Sequence, residues 1–226
     1  MKKILWIASI VAIVLLAYAI LKSIKYSSVE RDCSYKLEAF DFHYKKEVDS
    51  PNILMLGNSL IKFGAWDSLL QRKDVINRGI SGDKLSCICN RLGYLKNTTA
   101  KICFIEGGIN DFPTNDIEAL FGYYKQIVAF WKAEGKIPVI NLILYVSPKA
   151  LGKDMDMNKS IFQLNNLLKA FATQEKIDCI DMNQQLADNG KFLLKDEYTP
   201  DGIHLTGAAY GLWAKEINKI LKKKQL

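Results

Sequence analysis

The chain has few of the residues that mark metal sites and disulfide frameworks. Its 226 residues include two histidines and five cysteines. An odd number of cysteines at irregular spacing does not indicate a disulfide framework, and the lone Cys87-x-Cys89 pair is not a zinc signature. Cys103 and Cys179 lie in apolar runs and are expected to be small core residues. The lack of an evident pairing argues mildly against a strongly oxidising compartment.

A basic stripe with interleaved aromatic residues, which would indicate nucleic-acid binding, is also lacking. The formal charge is +7, but four lysines lie within residues 1–25 and three within residues 222–224. Without those seven lysines the chain carries 24 basic and 24 acidic residues. The body of the domain is therefore neutral, and its basic ends suit an anionic membrane surface better than a nucleic acid.

A long apolar run occurs at the N-terminus. Residues 4–21 are uncharged, and a helix of that length would span about 27 Å, close to the thickness of a bilayer's hydrocarbon core. A membrane anchor and a cleavable signal segment both fit residues 1–25, and the continuation of the run past Ala19 favours the anchor. Residues 26–50 are expected to be a linker. Residues 51–226 are expected to form one domain outside the cytoplasm, or a secreted one if the segment is cleaved.

Short apolar runs alternate with helical patterns over the remainder of the chain. Five such runs predict strands, and the segments between them predict helices. This alternation is typical of an α/β fold in which helices cover both faces of a parallel sheet. The strands are expected at residues 52–56, 74–77, 101–106, 137–145 and 177–181, and the helices at residues 63–71, 84–95, 116–134, 158–174 and 207–221.

The first predicted strand is followed at once by Gly57, Asn58 and Ser59. In an open parallel sheet, ligands bind at the edge where the strands have their carboxyl ends. A serine at that edge, close to the start of a helix, can be a nucleophile whose own backbone N–H helps to stabilise an oxyanion. Taken alone, the same residues also suit a plain turn and helix N-cap.

A serine nucleophile needs a base, and His204 is the only histidine in the predicted domain because His43 lies in the linker. Asp201, on the same loop, can accept the second N–H of the imidazole, which fixes its tautomer and stabilises the imidazolium. The alternative is a solvated loop without a catalytic role. Thr206 is expected to be the N-cap of the last helix.

Two further turns offer donors for an oxyanion. Gly82 follows the second predicted strand and presents a backbone N–H, and Asn110 follows the third and presents a side-chain amide. A turn glycine and an Asn110-Asp111 capping pair are the simpler explanations. The occurrence of all these pieces in order, at strand ends or in the last loop, favours one catalytic site.

Four segments carry a family resemblance: residues 57–60 (Gly-Asn-Ser-Leu), 79–83 (Gly-Ile-Ser-Gly-Asp), 108–111 (Gly-Ile-Asn-Asp) and 201–206 (Asp-Gly-Ile-His-Leu-Thr). They resemble the sequence blocks of the SGNH (GDSL-type) hydrolases. Their residues are most similar to those of the family branch that contains platelet-activating-factor acetylhydrolase-like proteins and bacterial carbohydrate acetylesterases. The resemblance covers residues 50–220.

The resemblance implies a flavodoxin-like, three-layer α/β/α fold with strand order 2-1-3-4-5 and no metal or organic cofactor. It also implies roles for five residues. Ser59 would be the nucleophile, His204 its base and Asp201 the partner of that base. Gly82 and Asn110 would complete the oxyanion hole with the backbone N–H of Ser59.

The chain departs from the family at Asn58, where the family usually has Asp. An Asn keeps the shape of the side chain and a carbonyl acceptor but removes a negative charge near the site. We expect a less stabilised imidazolium and a lower pH limit at which His204 becomes a usable base. An Asn58→Asp variant should then show a shifted acidic limit of activity.

The substrate is less well defined by the sequence. Trp66 and Phe112 lie near the predicted strand ends and can line a substrate pocket, although both also suit the core. The loops are too short for a lid over a long acyl chain, which favours an O-acetyl ester of a carbohydrate or similar alcohol. A lysophospholipase or thioesterase, an acyltransferase with the same site, and a membrane-tethered binding domain without activity are the alternatives.

Overall fold

The computed structural model describes residues 13–18, 20, 33, 50–113, 116–151, 156–188 and 190–226. Most of the predicted anchor and linker therefore lies outside the described residues. In the described part of the chain, no helix is both long and apolar enough to cross a membrane.

Five short strands form one parallel sheet in the order β2-β1-β3-β4-β5, as expected. Each strand pairs in parallel with its neighbours, so the carboxyl ends of all five strands lie along one edge of the sheet. A separate antiparallel pair, β6-β7, lies outside this sheet. The strands are β1 (Ile53–Gly57), β2 (Val75–Gly79), β3 (Ile102–Ile105), β4 (Ile137–Asn141), β5 (Asp178–Ile180), β6 (Ala187–Asp188) and β7 (Leu193–Leu194).

Helices connect successive strands and cover both faces of the sheet. Short 3₁₀ segments occur at Leu92–Leu95, Ile109–Asp111 and Asp196–Tyr198. The α-helices in residues 50–226 are α1 (Ser59–Lys62), α2 (Trp66–Leu70), α3 (Leu85–Asn90), α4 (Ile117–Ala133), α5 (Pro148–Leu151), α6 (Met157–Glu175), α7 (Asn183–Leu186) and α8 (Gly207–Lys224).

Alternate residues of each strand enter two separate cores. Leu54 and Leu56 of β1 belong to the core that α3, α4 and α6 cover. Ile53 and Met55 of the same strand belong to the core that α1, α2 and α8 cover. All four side chains are fully buried. Because both faces of β1 are covered, its sequence is one uninterrupted apolar run. The fold is the predicted three-layer α/β/α sandwich.

The fourth strand is shorter than expected: it ends at Asn141, whereas the apolar run predicted a strand to residue 145. The N–H of Leu142 still donates to Ile180 O, at 2.9 Å. After Leu142, the backbone forms hydrogen bonds with asparagine side chains rather than with a neighbouring strand. Asn165 accepts from and donates to the backbone of Ile143, at 3.0 and 2.8 Å. These amides satisfy buried backbone groups that a neighbouring strand would otherwise pair.

Three other sequence predictions need correction. The helix expected over residues 63–71 is shorter, because only α2 (Trp66–Leu70) lies in that range and α1 (Ser59–Lys62) precedes it. The helix expected over residues 84–95 ends at Asn90 and is followed by a 3₁₀ turn. The third correction concerns the cysteines, because Cys33 and Cys87 form a disulfide. They lie 54 residues apart, and a pairing across that distance depends on the fold rather than on spacing.

Candidate active site

Ser59 stands at the sharp turn between β1 and α1. The side chain of Asn58 caps α1, its Oδ1 accepting from the N–H of Leu60 at 2.8 Å. Gly57 permits the close approach of β3, because a Cβ there would collide with the backbone carbonyl of Glu106. Ser59 lies at the carboxyl edge of the sheet and is 6% exposed.

The loop before α8 brings Asp201 and His204 to that serine. His204 Nε2 lies 3.1 Å from Ser59 Oγ, although the two residues are 145 positions apart. His204 Nδ1 lies 2.6 Å from Asp201 Oδ2. Burial acts to raise the pKa of Asp201, but the hydrogen bonds from the His204 ring and two backbone N–H groups outweigh it and lower this pKa to about 2. Asp201 is therefore ionised at neutral pH beside the imidazole.

Backbone contacts hold this loop in place. Asp201 Oδ1 accepts from the N–H groups of Ile203 and His204, at 2.9 and 2.8 Å, so the carboxylate also shapes its own turn. Gly202 has a φ of 97° and packs against Ala150, where a Cβ would come within 2.6 Å of the backbone nitrogen. Thr206 caps α8 through its hydroxyl, as predicted.

The two predicted oxyanion donors lie on adjacent turns at the same edge. Gly82 has a φ of 72° in the turn after β2, and Asn110 lies in the 3₁₀ turn after β3. Asn110 Nδ2 donates to the backbone carbonyl of Asp83 at 2.9 Å, which joins the turns. An amide NH₂ has two N–H groups, and this bond uses one of them.

A buried ion pair supports the turn that carries Gly82. Arg91 Nε donates to Asp83 Oδ2 at 2.9 Å, with the two side chains 1% and 0% exposed. Arg91 Nη2 also donates to the carbonyls of Gly57 and Arg78, at the ends of β1 and β2. One guanidinium thus ties two strand ends to this turn. Asp83 was part of a recognised sequence block, but nothing in the sequence indicated its pairing with Arg91.

The aromatic residues proposed to line the pocket are mostly core residues. Trp66 is 2% exposed, donates from Nε1 to Ile61 O at 2.8 Å and packs edge-on against Tyr210 and Trp213. Its burial favours the core alternative over contact with substrate, because its ring is enclosed by the helices on that face. Phe112 is 9% exposed and belongs to the opposite core.

Phe63 is an aromatic residue that lies beside His204. Its ring centroid is 5.2 Å from that of His204, and 55% of the residue is exposed. The sequence placed Phe63 at the start of a predicted helix and gave no signal that it would lie beside His204. Its exposure identifies it as a candidate wall of the substrate pocket.

Glu106 is a second residue that the sequence analysis missed. It follows β3, is fully buried, and its Oε1 accepts from Asn58 Nδ2 at 3.3 Å. Burial raises the pKa of Glu106 to about 8, and hydrogen bonds from Asn58 oppose this rise only in part. The only sequence signal was a charged residue at the end of an apolar run.

The fold and this arrangement define an ester-cleaving hydrolase of the α/β class. The sequence profile of the GDSL-like Lipase/Acylhydrolase family matches residues 56–212. The chain therefore belongs to that family, as the sequence blocks indicated. No curated protein sequence matches the chain.

Solved structures from bacteria share the fold at low sequence identity. One from Streptococcus pneumoniae, named for platelet activating factor, has a TM-score of 0.73 and 22% identity and covers 88% of this chain and 99% of its own. A GDSL-like lipase from Bacteroides thetaiotaomicron has a TM-score of 0.67 and 21% identity, covering 76% and 88%. A catalytic mutant of an acetylxylan esterase from Geobacillus stearothermophilus has a TM-score of 0.60 and 18% identity, and the match covers 76% of this chain and 94% of that one.

Proposed function

We propose that the protein is a serine esterase that removes a short acyl group through an acyl-enzyme intermediate on Ser59. One observation carries this proposal. Ser59 Oγ, the His204 ring and the Asp201 carboxylate form a continuous chain of contacts at 3.1 and 2.6 Å. This is the order of groups that a nucleophile, its base and the partner of that base require.

In the first half of the reaction, Ser59 Oγ attacks the ester carbonyl carbon while its proton passes to His204 Nε2. The ionised Asp201 keeps the proton on Nδ1 and stabilises the imidazolium that forms. The tetrahedral intermediate then collapses. The C–O bond to the alcohol breaks, and the imidazolium returns its proton to the departing oxygen.

The developing oxyanion needs donors already in place. The backbone N–H groups of Ser59 and Gly82 and the side-chain amide of Asn110 fill this role. The bond from Asn110 to the Asp83 carbonyl holds the amide plane and leaves its second N–H for the substrate oxygen.

In the second half of the reaction, water replaces the alcohol. His204 takes a proton from the water, whose oxygen attacks the acyl carbon. The bond to Ser59 Oγ then breaks, and the imidazolium returns the proton to Ser59 Oγ. The products are a carboxylic acid and free enzyme. An acyltransferase would use a second alcohol in place of water at this step.

The substrate that we propose is an O-acetyl ester of a carbohydrate or a similar alcohol. Exposed Phe63 offers a flat apolar surface beside His204, suited to the face of a sugar ring. The acetylxylan esterases among the structural neighbours are consistent with this class of substrate. Hydrolysis of p-nitrophenyl esters from acetate to decanoate distinguishes it from a lysophospholipase. An acetyl preference supports our proposal, and a preference for long chains contradicts it.

The test of the proposed function is hydrolysis of p-nitrophenyl acetate by the full chain and by its Ser59→Ala variant. A Ser86→Ala variant is the matched control, because Ser86 lies on α3 and has no proposed catalytic part. We expect only Ser59→Ala to fall to the background rate. Activity that survives Ser59→Ala would contradict the proposed nucleophile.

We propose further that the N-terminal segment holds the domain outside the cytoplasm. The uncharged run at residues 4–21 and the exposure of the described side chains at 13–18 and 20 support an anchor. The Cys33–Cys87 disulfide supports an oxidising compartment, contrary to the expectation from cysteine spacing. Recovery of the chain in the membrane fraction, with its domain open to added protease in intact cells, is the expected result. A chain found only in the cytosol would contradict it.

A further inference from the structure

Glu106 is a buried acid whose surroundings connect it to the nucleophile turn. Its backbone N–H donates to Leu56 O at 2.9 Å, which continues the β1–β3 pairing by one residue. Its side chain is fully buried and therefore cannot contact substrate directly. Its carboxyl group meets the residue that precedes Ser59.

Asn58 joins that carboxyl group to the start of α1. Its Nδ2 donates to Glu106 Oε1 at 3.3 Å. On the other side, Asn58 Oδ1 accepts from Leu60 N–H at 2.8 Å. Asn58 is itself fully buried, and these two hydrogen bonds hold the residues on both sides of Ser59.

We propose that Asn58 and Glu106 form a matched amide–acid pair that positions Ser59 for attack, with Glu106 a positioning residue rather than a catalytic one. This inference rests on the proposed role of Ser59 as nucleophile. An aspartate at residue 58 would instead place a carboxylate directly against the carboxyl group of Glu106. Two buried carboxyl groups in contact cannot both ionise without large cost.

The electrostatic surroundings fit a neutral pair. Among the described residues, Glu106 Oε2 has no hydrogen-bond partner, and burial raises the pKa of this acid. The titratable groups that face it are Tyr124 on α4 and Tyr210 on α8, whose pKa values rise through burial and, once Glu106 is ionised, through its charge. Both hydroxyls donate elsewhere, to the carbonyls of Gly107 and Leu60 at 2.7 Å. Glu106 therefore has Asn58 as its side-chain donor.

This pairing changes the hypothesis drawn from the sequence about Asn58. That hypothesis treated Asn58 as the loss of a negative charge near His204. The acidic group is instead present at residue 106, and Asn58 is the donor that it requires. An Asn58→Asp substitution should therefore impair the site through repulsion, rather than simply move its acidic limit.

The test is an exchange of the two groups in the full chain. Asn58→Asp, Glu106→Gln and the double variant are compared for kcat, KM and pH profile on p-nitrophenyl acetate. In the double variant the acid is at residue 58 and the amide is at residue 106. The new carboxylate can accept from Leu60 N–H and from the new amide. Both observed side-chain hydrogen bonds are thus preserved.

We expect Asn58→Asp to lower kcat at least about tenfold with little change in KM, because the nucleophile is misplaced while the pocket is intact. The double variant should recover to within about threefold of the native kcat. Asn165→Asp is the matched control, because Asn165 is an equally buried asparagine that bonds to Ile143 and not to Glu106. Glu106→Gln should not rescue Asn165→Asp.

If the decreases in kcat of the two single variants simply multiply in the double variant, the pairing is overturned. A double variant that fails to fold also overturns it, because the exchange keeps both side-chain hydrogen bonds. A single Asn58→Asp variant that fails to fold while the double variant folds would support it. Ser59→Ala, assayed alongside, separates the two claims. Residual activity in that variant contradicts the nucleophile, whereas its inactivity together with multiplying pair effects contradicts only the role of Glu106.

Discussion

The amide of Asn110 is held by the carbonyl of Asp83 before any substrate arrives. A donor that is already oriented stabilises an oxyanion without reorganisation during the reaction, and loss of one such donor costs about 10²–10³ in rate. We expect Asn110→Ala to lower kcat on p-nitrophenyl acetate by about that factor with a small change in KM. Asn97→Ala, at an exposed position away from this edge, is the control. Equal kcat values for the two variants would exclude Asn110 from the oxyanion hole.

The buried acid at residue 106 predicts how stability depends on pH. Burial raises the pKa of Glu106 from 4.5 to about 8 in the folded chain. Between these values the unfolded chain has lost the proton and the folded chain has kept it, so rising pH favours unfolding. Above pH 8 both states are ionised and the effect levels off.

Relative to Glu106→Gln, the native chain should therefore lose stability from pH 5 to pH 8, by at most about 1.4 kcal/mol per pH unit. Urea denaturation at several pH values measures this difference. Parallel stability curves for the two chains would show that Glu106 does not hold a proton on folding.

At the scale of the elements, the site depends on the alignment of the ends of β1 and β2. The Asp83–Arg91 pair, with its bonds to the Gly57 and Arg78 carbonyls, connects these ends to α3. Removing one partner of a fully buried pair leaves an uncompensated charge, which costs about 3–5 kcal/mol. We expect Arg91→Met to lower the free energy of unfolding by about this amount.

Arg72→Met is the matched control for that substitution. Arg72 pairs with Asp74 at 2.7 Å, but the side chains are 26% and 25% exposed. A pair that is open to solvent is worth only about 0–1 kcal/mol, so this variant should lose little stability. Equal losses for the two variants would show that the Arg91 pair has no special part in joining the strand ends.

The elements also show how far sequence patterns extend. The apolar run of β1 predicted a strand with both faces buried, and the four blocks placed Ser59, Asn110 and His204 at one edge. The end of β4 could not be predicted, because residues 142–146 are as apolar as the strand itself. Their backbone partners are side chains such as Asn165, more than 20 positions away.

The surroundings of residues at the site could not be predicted for the same reason. Trp66 and Phe63 are both aromatic residues near the nucleophile, and only the packing of α8 shows that Trp66 is enclosed while Phe63 lies exposed beside His204. Glu106 resembled an ordinary strand-end acid. Its contact with Asn58 joins residues 48 positions apart and depends on the adjacency of β1 and β3.

At the scale of the whole molecule, the Cys33–Cys87 disulfide ties the segment before the domain to α3. The bridge closes a loop of 54 residues, which restricts the unfolded chain and typically stabilises the folded state by about 2–4 kcal/mol. We expect Cys33→Ser to lower the midpoint of urea denaturation, and a reducing agent to lower it equally in the native chain.

Cys89→Ser is the control for that substitution, since Cys89 is a free, partly buried cysteine two positions from Cys87. It should change the midpoint little and leave the response to reducing agent intact. A native chain whose midpoint is the same with and without reducing agent would contradict a stabilising bridge.

The central claim is that Ser59 is the nucleophile of an ester hydrolase, and covalent labelling with a fluorophosphonate tests it most directly. The full chain is treated with the reagent, assayed for loss of esterase activity, and digested for mass spectrometry. We predict one adduct, on the peptide that contains Ser59, formed in step with inactivation and much more slowly in a His204→Ala variant. Inactivation with the adduct on another residue, or activity that persists with Ser59 fully modified, would contradict the account.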